Sequence, residues 1–237
     1  MLPEQFCVRM KEMLGEEYAA FYASYDLPKY QALRINPLKT ERDTFLLQAP
    51  FSLNRVPWTT NGYYYSGNDQ PGRHPYHEAG VYYIQEPSAM APAEYLMAEP
   101  GERILDLCAA PGGKSTQIAC SMQGEGLIVC NEIHPARAKI LSENIERMGV
   151  CNALVTNETP QKLSDNFREY FDRILVDAPC SGEGMFRKDQ QAREEWSPDN
   201  VKLCASRQAE ILDRAAAMLK PGGYLVYSTC TFAPDED

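Results

Sequence analysis

Long apolar runs are missing from this 237-residue chain. None approaches the roughly 18–20 residues that a membrane helix needs. The N-terminus, Met1-Leu2-Pro3-Glu4-Gln5, has no basic stretch leading into an apolar one, so no secretory leader is expected and the reading is cytoplasmic. Cys-x-x-Cys pairs are missing although the chain has eight cysteines, and no Cys/His cluster has zinc spacing. A structural metal site is therefore not expected. In a cytosolic chain the thiols should be reduced, and the default for each is a small buried residue. A basic excess is missing as well: 23 Lys and Arg face 33 Asp and Glu, a net charge of −10. Phosphate contacts need cations, which argues against non-specific nucleic-acid binding. A nucleic-acid partner would have to be held by a local basic surface or by basic residues outside this chain. Tandem repeats and low-complexity tracts are also absent.

What remains is an ordinary globular composition, 44% apolar and 24% charged, long enough for one or two domains with a real core. Phe6, Met10, Met13, Leu14, Tyr18, Phe21 and Tyr22 recur at helical spacing, which predicts an amphipathic helix over 4–22 with its stripe in the core. Residues 31–85 are rich in proline, glycine and aromatics, and short strands joined by turns fit them better than helices. From about Glu78, strand-like and helix-like segments alternate. Arg103–Cys108, Leu127–Glu132, Ala153–Thr156, Arg173–Asp177 and Tyr224–Ser228 read as five strands. A helix from Pro135 carries Ile140, Leu141, Ile145 and Met148 on one face and stops at Gly149. Ser197-Pro198 caps a long helix running to Leu219, ahead of Pro221-Gly222-Gly223. Alternation of this kind predicts an α/β, Rossmann-like fold with a mainly parallel, doubly wound sheet over 78–237, preceded by a small α+β domain over 1–77.

The strongest local signal follows the first of these strands: Cys108-Ala109-Ala110-Pro111-Gly112-Gly113-Lys114. Ligands of doubly wound sheets bind beyond the C-terminal strand ends. Gly112 and Gly113 let the backbone approach a ligand, and the next helix offers free N–H groups. Glu132, 26 residues beyond Asp106, ends the second strand with an acid suited to a ribose diol. Taken alone it would be a solvated strand end. A phosphate loop needs Gly-x-x-x-x-Gly-Lys-[Ser/Thr]; Gly113-Lys114-Ser115 matches its end, but Cys108 stands where the first glycine must be. The Gly-x-Gly-x-x-Gly of dinucleotide folds is absent too. A nucleoside cofactor such as S-adenosylmethionine fits best.

Two cysteines follow neighbouring strands of the expected sheet, in Asp177-Ala178-Pro179-Cys180 and Ser228-Thr229-Cys230. One cysteine at a strand end is weak, but two on adjacent loops of one sheet are much stronger. Ala32-Leu33-Arg34-Ile35-Asn36, Gln85-Glu86-Pro87-Ser88-Ala89, Cys108 to Lys114, Asp177-Ala178-Pro179-Cys180-Ser181-Gly182-Glu183-Gly184 and Tyr227-Ser228-Thr229-Cys230-Thr231 together resemble the Nop/Sun family of RNA cytosine-5 methyltransferases over nearly the whole chain. The aromatic N-terminal segment and Gly182–Arg187 look most like its bacterial branch acting on small-subunit ribosomal RNA.

The resemblance implies that Cys230 attacks the base and that Cys180 assists proton abstraction and product release. It also implies that residues 108–114, Glu132 and Asp177 hold the cofactor, with Asp177 also near the base. The chemistry accounts for two thiols. Carbon 5 of cytosine is a poor nucleophile until a thiolate adds to carbon 6. A base must then remove the carbon-5 proton so that the thiolate can leave. The target base must also leave its stack.

Two departures stand out. Where the family often has Asp after the third strand, this chain has Asn157-Glu158-Thr159, making Asn157 the candidate there. The chain also ends at Asp237, soon after Cys230, so it is expected to be a fragment lacking the last strands of the sheet. Arg34, Lys39, Arg42, Arg187, Lys188 and Arg193 are candidates for an RNA-facing surface, weighed against ordinary solvated charges. A monomer is expected. The alternatives are methylation of transfer RNA, a DNA cytosine methyltransferase attacking through the Pro-Cys cysteine, a non-catalytic RNA- and cofactor-binding factor, and a phosphate-loop ATPase.

Overall fold

The computed structural model describes residues 2–237, which divide into two compact units. One comprises residues up to Lys29 with Ala178–Leu212 and Ser228–Asp237; the other comprises Tyr30–Asp177 with Asp213–Tyr227.

The first unit is built on helices. The expected helix over 4–22 forms in two pieces, Glu4–Leu14 and Tyr18–Ser24. Gly15, at φ +53°, ends the first by taking a left-handed backbone that residues with a Cβ avoid. Phe6 and Met10 are buried with Phe186, Trp196, Val201 and Ala233. The Phe6 and Phe186 rings meet edge-on at 5.0 Å. Helix Pro198–Met218 begins beside Ser197, whose hydroxyl accepts the Asn200 N–H as an N-cap should.

The second unit holds two sheets. The first has strands β1 (Ala32–Ile35), β2 (Leu53–Arg55), β3 (Gly62–Tyr65) and β4 (Tyr82–Ile84) in the order β2-β3-β1-β4, with antiparallel pairing. The antiparallel pairing therefore runs past residue 77. Helices Arg42–Gln48 and Pro75–Glu78 lie between these strands, so the stretch over 31–85 is not purely strand and turn.

The second sheet has strands β5 (Arg103–Asp106), β6 (Leu127–Asn131), β7 (Ala153–Thr156), β8 (Phe171–Asp177) and β9 (Leu219–Ser228) in the order β7-β6-β5-β8-β9. Pairs β5–β6, β5–β8 and β6–β7 are parallel. The apolar runs Ile104-Leu105 and Ile174-Leu175-Val176 are buried, as strands covered on both faces require. On helix Pro135–Met148 the core face is Ala138, Leu141, Ile145 and Met148, while Ile140 is 47% exposed and does not join it. The strand after the long helix begins at Leu219 rather than Tyr224, because the Pro221–Gly223 stretch itself runs in the strand. The expected doubly wound α/β architecture with a separate antiparallel sheet before it is what the chain adopts. Chain order reverses between β5 and β8, where such sheets open a crevice beyond their C-terminal ends.

Candidate active site

That crevice is a cavity of about 230 Å³ lined by Asp106, Cys108–Pro111, Gly113, Lys114 and Asp177 together with Tyr83, Gln85 and Glu86. The glycines explain its shape. Gly112 sits at φ +109°, a left-handed conformation, as the N-cap of helix Gly113–Met122. A Cβ at Gly113 would lie 3.3 Å from the Tyr83 ring and 3.4 Å from the Gln85 amide, so a side chain there would press on the cavity wall. The loop is braced from outside: Arg137 donates to the Ala110 carbonyl at 2.9 Å and Asn144 to the Pro111 carbonyl at 2.8 Å.

Three carboxyl side chains and one lysine line the cavity: Glu86, Asp106, Asp177 and Lys114. Lys114 Nζ pairs with Asp177 Oδ2 at 2.6 Å. Asp106 is fully buried; Ser115 donates to its Oδ2 at 2.6 Å, and among the described residues its Oδ1 has no hydrogen-bond partner. Burial, with the Asp177 charge, pushes the Asp106 carboxyl up to about 7, against the Ser115 hydrogen bond, the Lys114 charge and the Cys108 N–H. A buried acceptor without a donor costs on the order of 1–3 kcal/mol. Such a cost is expected where a ligand supplies the donor. Cys108 lines the same cavity, but burial pushes its thiol up to about 12, so it is neutral near pH 7.

Asp106 yields a prediction on pH. Its folded carboxyl keeps its proton well above the ordinary 3.8. Between those values the folded state binds the extra proton, so folding stability falls as pH rises from about 4 to about 7. Asp106→Asn, which keeps the shape and the Ser115 hydrogen bond, is expected to remove that fall. Urea midpoints measured at pH 4.5 and pH 8 for both proteins check it; parallel pH dependence in the two would refute it.

The other residues assigned to the cofactor lie off this cavity. Glu132, buried at the end of β6, accepts the His134 N–H at 2.9 Å and pairs with Arg137 at 3.2 Å. Asn157 donates to the Glu132 carbonyl at 2.6 Å. The two are therefore joined to each other, but neither lines the cavity around Asp106.

Both cysteines belong to the first unit. Cys180 Sγ and Cys230 Sγ stand 3.3 Å apart as free thiols, and the Cys230 N–H donates to Cys180 Sγ at 3.4 Å. Cys180 is half-buried and Cys230 exposed. The hydrogen bond from the Cys230 thiol draws the Cys180 thiol below its usual range, helped by the N–H groups of Cys230 and Gly182 and opposed by burial and the Glu236 charge.

The two cysteine loops are laced together by their backbones. Ala178 N–H donates to Ser228 O at 2.9 Å and Gly184 N–H to Cys230 O at 2.7 Å. Gly184 is required there, because a Cβ would lie 2.9 Å from that same oxygen. Glu183, fully buried, accepts from Phe232 N–H at 3.0 Å, from the Trp196 indole at 2.8 Å and from Arg9 with both oxygens at 2.6 Å.

Sequence reasoning singled out the glycine loop, Asp177 and both thiols, but missed Asp106, Tyr83, Gln85 and Glu86 on the cavity and Arg9, Glu183 and Glu236 around the thiols. Gln85, Glu86 and Glu183 lay inside stretches that carry the family resemblance, which was the available signal. Arg34 corrects the RNA-surface expectation. It lies on an inner strand of the antiparallel sheet and is 2% exposed. Its guanidinium donates to Gln85 Oε1 at 3.0 Å, Gly113 O at 3.0 Å and Thr116 Oγ1 at 2.8 Å. Lys39, Arg42 and Lys188 are exposed, whereas Arg187 and Arg193 are partly covered and donate to the carbonyls of Leu27 and Phe186.

A parallel sheet reversing its order at a glycine-lined crevice, with an antiparallel sheet before it, defines a Rossmann-like methyltransferase fold. The model of the 16S rRNA methyltransferase RsmB/F family matches residues 93–237, and that of the N-terminal domain of 16S rRNA methyltransferase RsmF matches residues 2–87. The chain belongs to the RsmB/F family of 16S rRNA methyltransferases. It is 39% identical to ribosomal RNA small subunit methyltransferase F of Escherichia coli O81 (strain ED1a), over 99% of this chain and 51% of that protein. The enzyme of the same description from Enterobacter sp. (strain 638) is 40% identical over the same shares. The chain thus spans about half the length of the curated relatives it matches. A methyltransferase homolog protein from Pyrococcus horikoshii, known from its crystal structure, superposes with a TM-score of 0.87 at 31% identity, over 99% of this chain and 75% of that one.

Proposed function

We propose that this chain transfers a methyl group from S-adenosylmethionine to carbon 5 of a cytidine in small-subunit ribosomal RNA, through a covalent Cys230 adduct that Cys180 helps to resolve. Family membership supports the cofactor and the rRNA substrate class. The observation that carries the chemistry is the 3.3 Å contact between an exposed and a half-buried thiol. Cytosine-5 methylation needs a nucleophile that reaches the base and a second group that removes a proton afterwards. Cys230 has the exposure for the first role. Cys180, whose thiol is drawn down by donors, suits the second.

The cavity fits the cofactor on its own chemistry. It offers a buried acceptor without a donor at Asp106, glycines where a Cβ would intrude, and a Lys114–Asp177 pair. Asp106, the 108–114 loop and Asp177 would hold S-adenosylmethionine, and Glu132 and Asn157, which lie off the cavity, are assigned to the same cofactor. The cofactor supplies an electrophilic methyl group. The protein's part is to orient it, to activate carbon 5 through the thiolate, and to take up the carbon-5 proton. We further assign residues 1–77 to RNA contact and 78–237 to catalysis, in a monomer acting in the cytoplasm. Among the described residues no helix is long and apolar enough to cross a membrane.

Cys180 as the attacking thiol is the second reading, and its lowered pKa is what favours it. The main proposal is tested by incubating the chain with labelled S-adenosylmethionine and unmodified 16S rRNA or small subunits, then mapping the label by nuclease digestion and mass spectrometry. Label in 5-methylcytidine is the expected result. Label at another atom, or on transfer RNA or DNA alone, would overturn it.

A further inference from the structure

Glu236 lies six residues beyond Cys230 and is 2% exposed, unusual for a carboxylate. Its Oε2 accepts from the Ser181 N–H at 2.9 Å and from Gln208 Nε2 at 3.0 Å. Its Oε1 accepts from the Ser181 hydroxyl at 2.5 Å and from the Thr231 hydroxyl at 3.3 Å. Ser181 and Thr231 are the residues that directly follow the two cysteines, and their hydroxyls are also 3.0 Å from each other. Gln208, buried on the long helix, donates in addition to the Pro179 carbonyl at 3.1 Å, just before Cys180. One carboxylate therefore gathers donors from both cysteine loops and from the helix behind them.

We propose that Glu236 is a positioning residue that, with Gln208, holds the Cys180 and Cys230 loops at thiol contact distance. The inference rests on the reading that this pair carries the chemistry. A buried charge is tolerated only with such a donor set, and those donors determine which loop conformation is stable. Remove the carboxylate and four hydrogen bonds go at once: the Ser181 N–H loses its acceptor, the two hydroxyls keep only each other, and Gln208 keeps only the Pro179 carbonyl. The loops then keep their backbone lacing at Ala178 and Gly184 but lose the constraint on residues 181 and 231. The charge has a second effect, since it raises the Cys180 thiol against the donors that draw it down.

The test reads the thiols directly, without RNA, on the whole chain. Phenylarsine oxide bridges two thiols held close together, releasing water as two As–S bonds form. The wild type is expected to bind it tightly and Cys230→Ser roughly 100-fold more weakly, because the second bond is lost. Glu236→Ala, at a temperature where its circular dichroism matches wild type, is expected to weaken binding comparably; wild-type affinity in this variant would overturn the proposal. Should Glu236→Ala not fold, Glu236→Gln serves. It is expected to keep arsenical binding while moving the pH profile of Cys180 alkylation by iodoacetamide, read by mass spectrometry, to lower pH as the neighbouring charge disappears. An unmoved profile would overturn the proposal equally. A wild type that binds the arsenical but forms no adduct with a 5-fluorocytidine RNA would instead sink the functional reading and leave the positioning role intact.

Discussion

Cys230→Ala is expected to form no covalent adduct with RNA carrying 5-fluorocytidine, while Cys180→Ala is expected to accumulate one. The fluorine blocks removal of the carbon-5 substituent after methyl transfer, so the attacking sulfur stays bonded to carbon 6. Without the Cys230 sulfur there is nothing to bond. Without Cys180, attack proceeds but resolution of a normal cytidine slows, and adduct builds up even on unfluorinated RNA. Denaturing gels with S-adenosylmethionine present read both results. The geometry makes the comparison a fair one. The thiols are 3.3 Å apart, so either could reach a base placed at the other, and the adduct assigns the roles. A stable adduct in Cys230→Ala that disappears in Cys180→Ala would reverse them.

Glu183→Ala is expected to cost about 3–5 kcal/mol of stability, because it strips a buried charge pair of one member. Glu183 is fully buried and holds Arg9, the Trp196 indole and the Phe232 N–H together. Alanine leaves the guanidinium, the indole and the amide without this acceptor and opens a cavity where the buried carboxylate was. The urea midpoint should fall accordingly, with Glu183→Gln between the two because it keeps the size and one oxygen. A loss below about 0.5 kcal/mol would place Glu183 among ordinary surface positions and refute the prediction.

These predictions mark what the sequence made legible. Strands β5, β6 and β8 were readable because a parallel strand covered on both faces must be apolar where it is buried, while β7, at the sheet edge with Leu154 exposed, showed only as a short apolar run. The 108–114 loop was readable because a left-handed residue and a close approach both select glycine. Arg34 was misread as a surface cation because nothing in Leu33-Arg34-Ile35 says that its strand is flanked on both sides. Arg9 is 174 residues from Glu183, and no local pattern announces a pair that distant. Asp106 reads from sequence only as a residue within the Arg103–Cys108 strand, since burial and a missing donor are properties of the folded neighbourhood. Composition and spacing report local preference well; the partners of buried charges are set by tertiary packing.

Arg34 also bears on how the cavity at the glycine loop would open. Its guanidinium ties β1 of the antiparallel sheet to Gly113 and Thr116, in the first turn of the helix that follows the glycine loop. No carboxylate hydrogen-bonds to it among the described residues; its hydrogen-bond acceptors are a carbonyl, an amide, a hydroxyl and a thiol sulfur. Opening the loop alone would leave a desolvated cation short of acceptors, and peeling the sheet away alone would do the same. The antiparallel sheet and the glycine loop are thus expected to open as one cooperative unit, so that hydrogen exchange in β1 and in the first turn after Gly112 should rise together under mild denaturant.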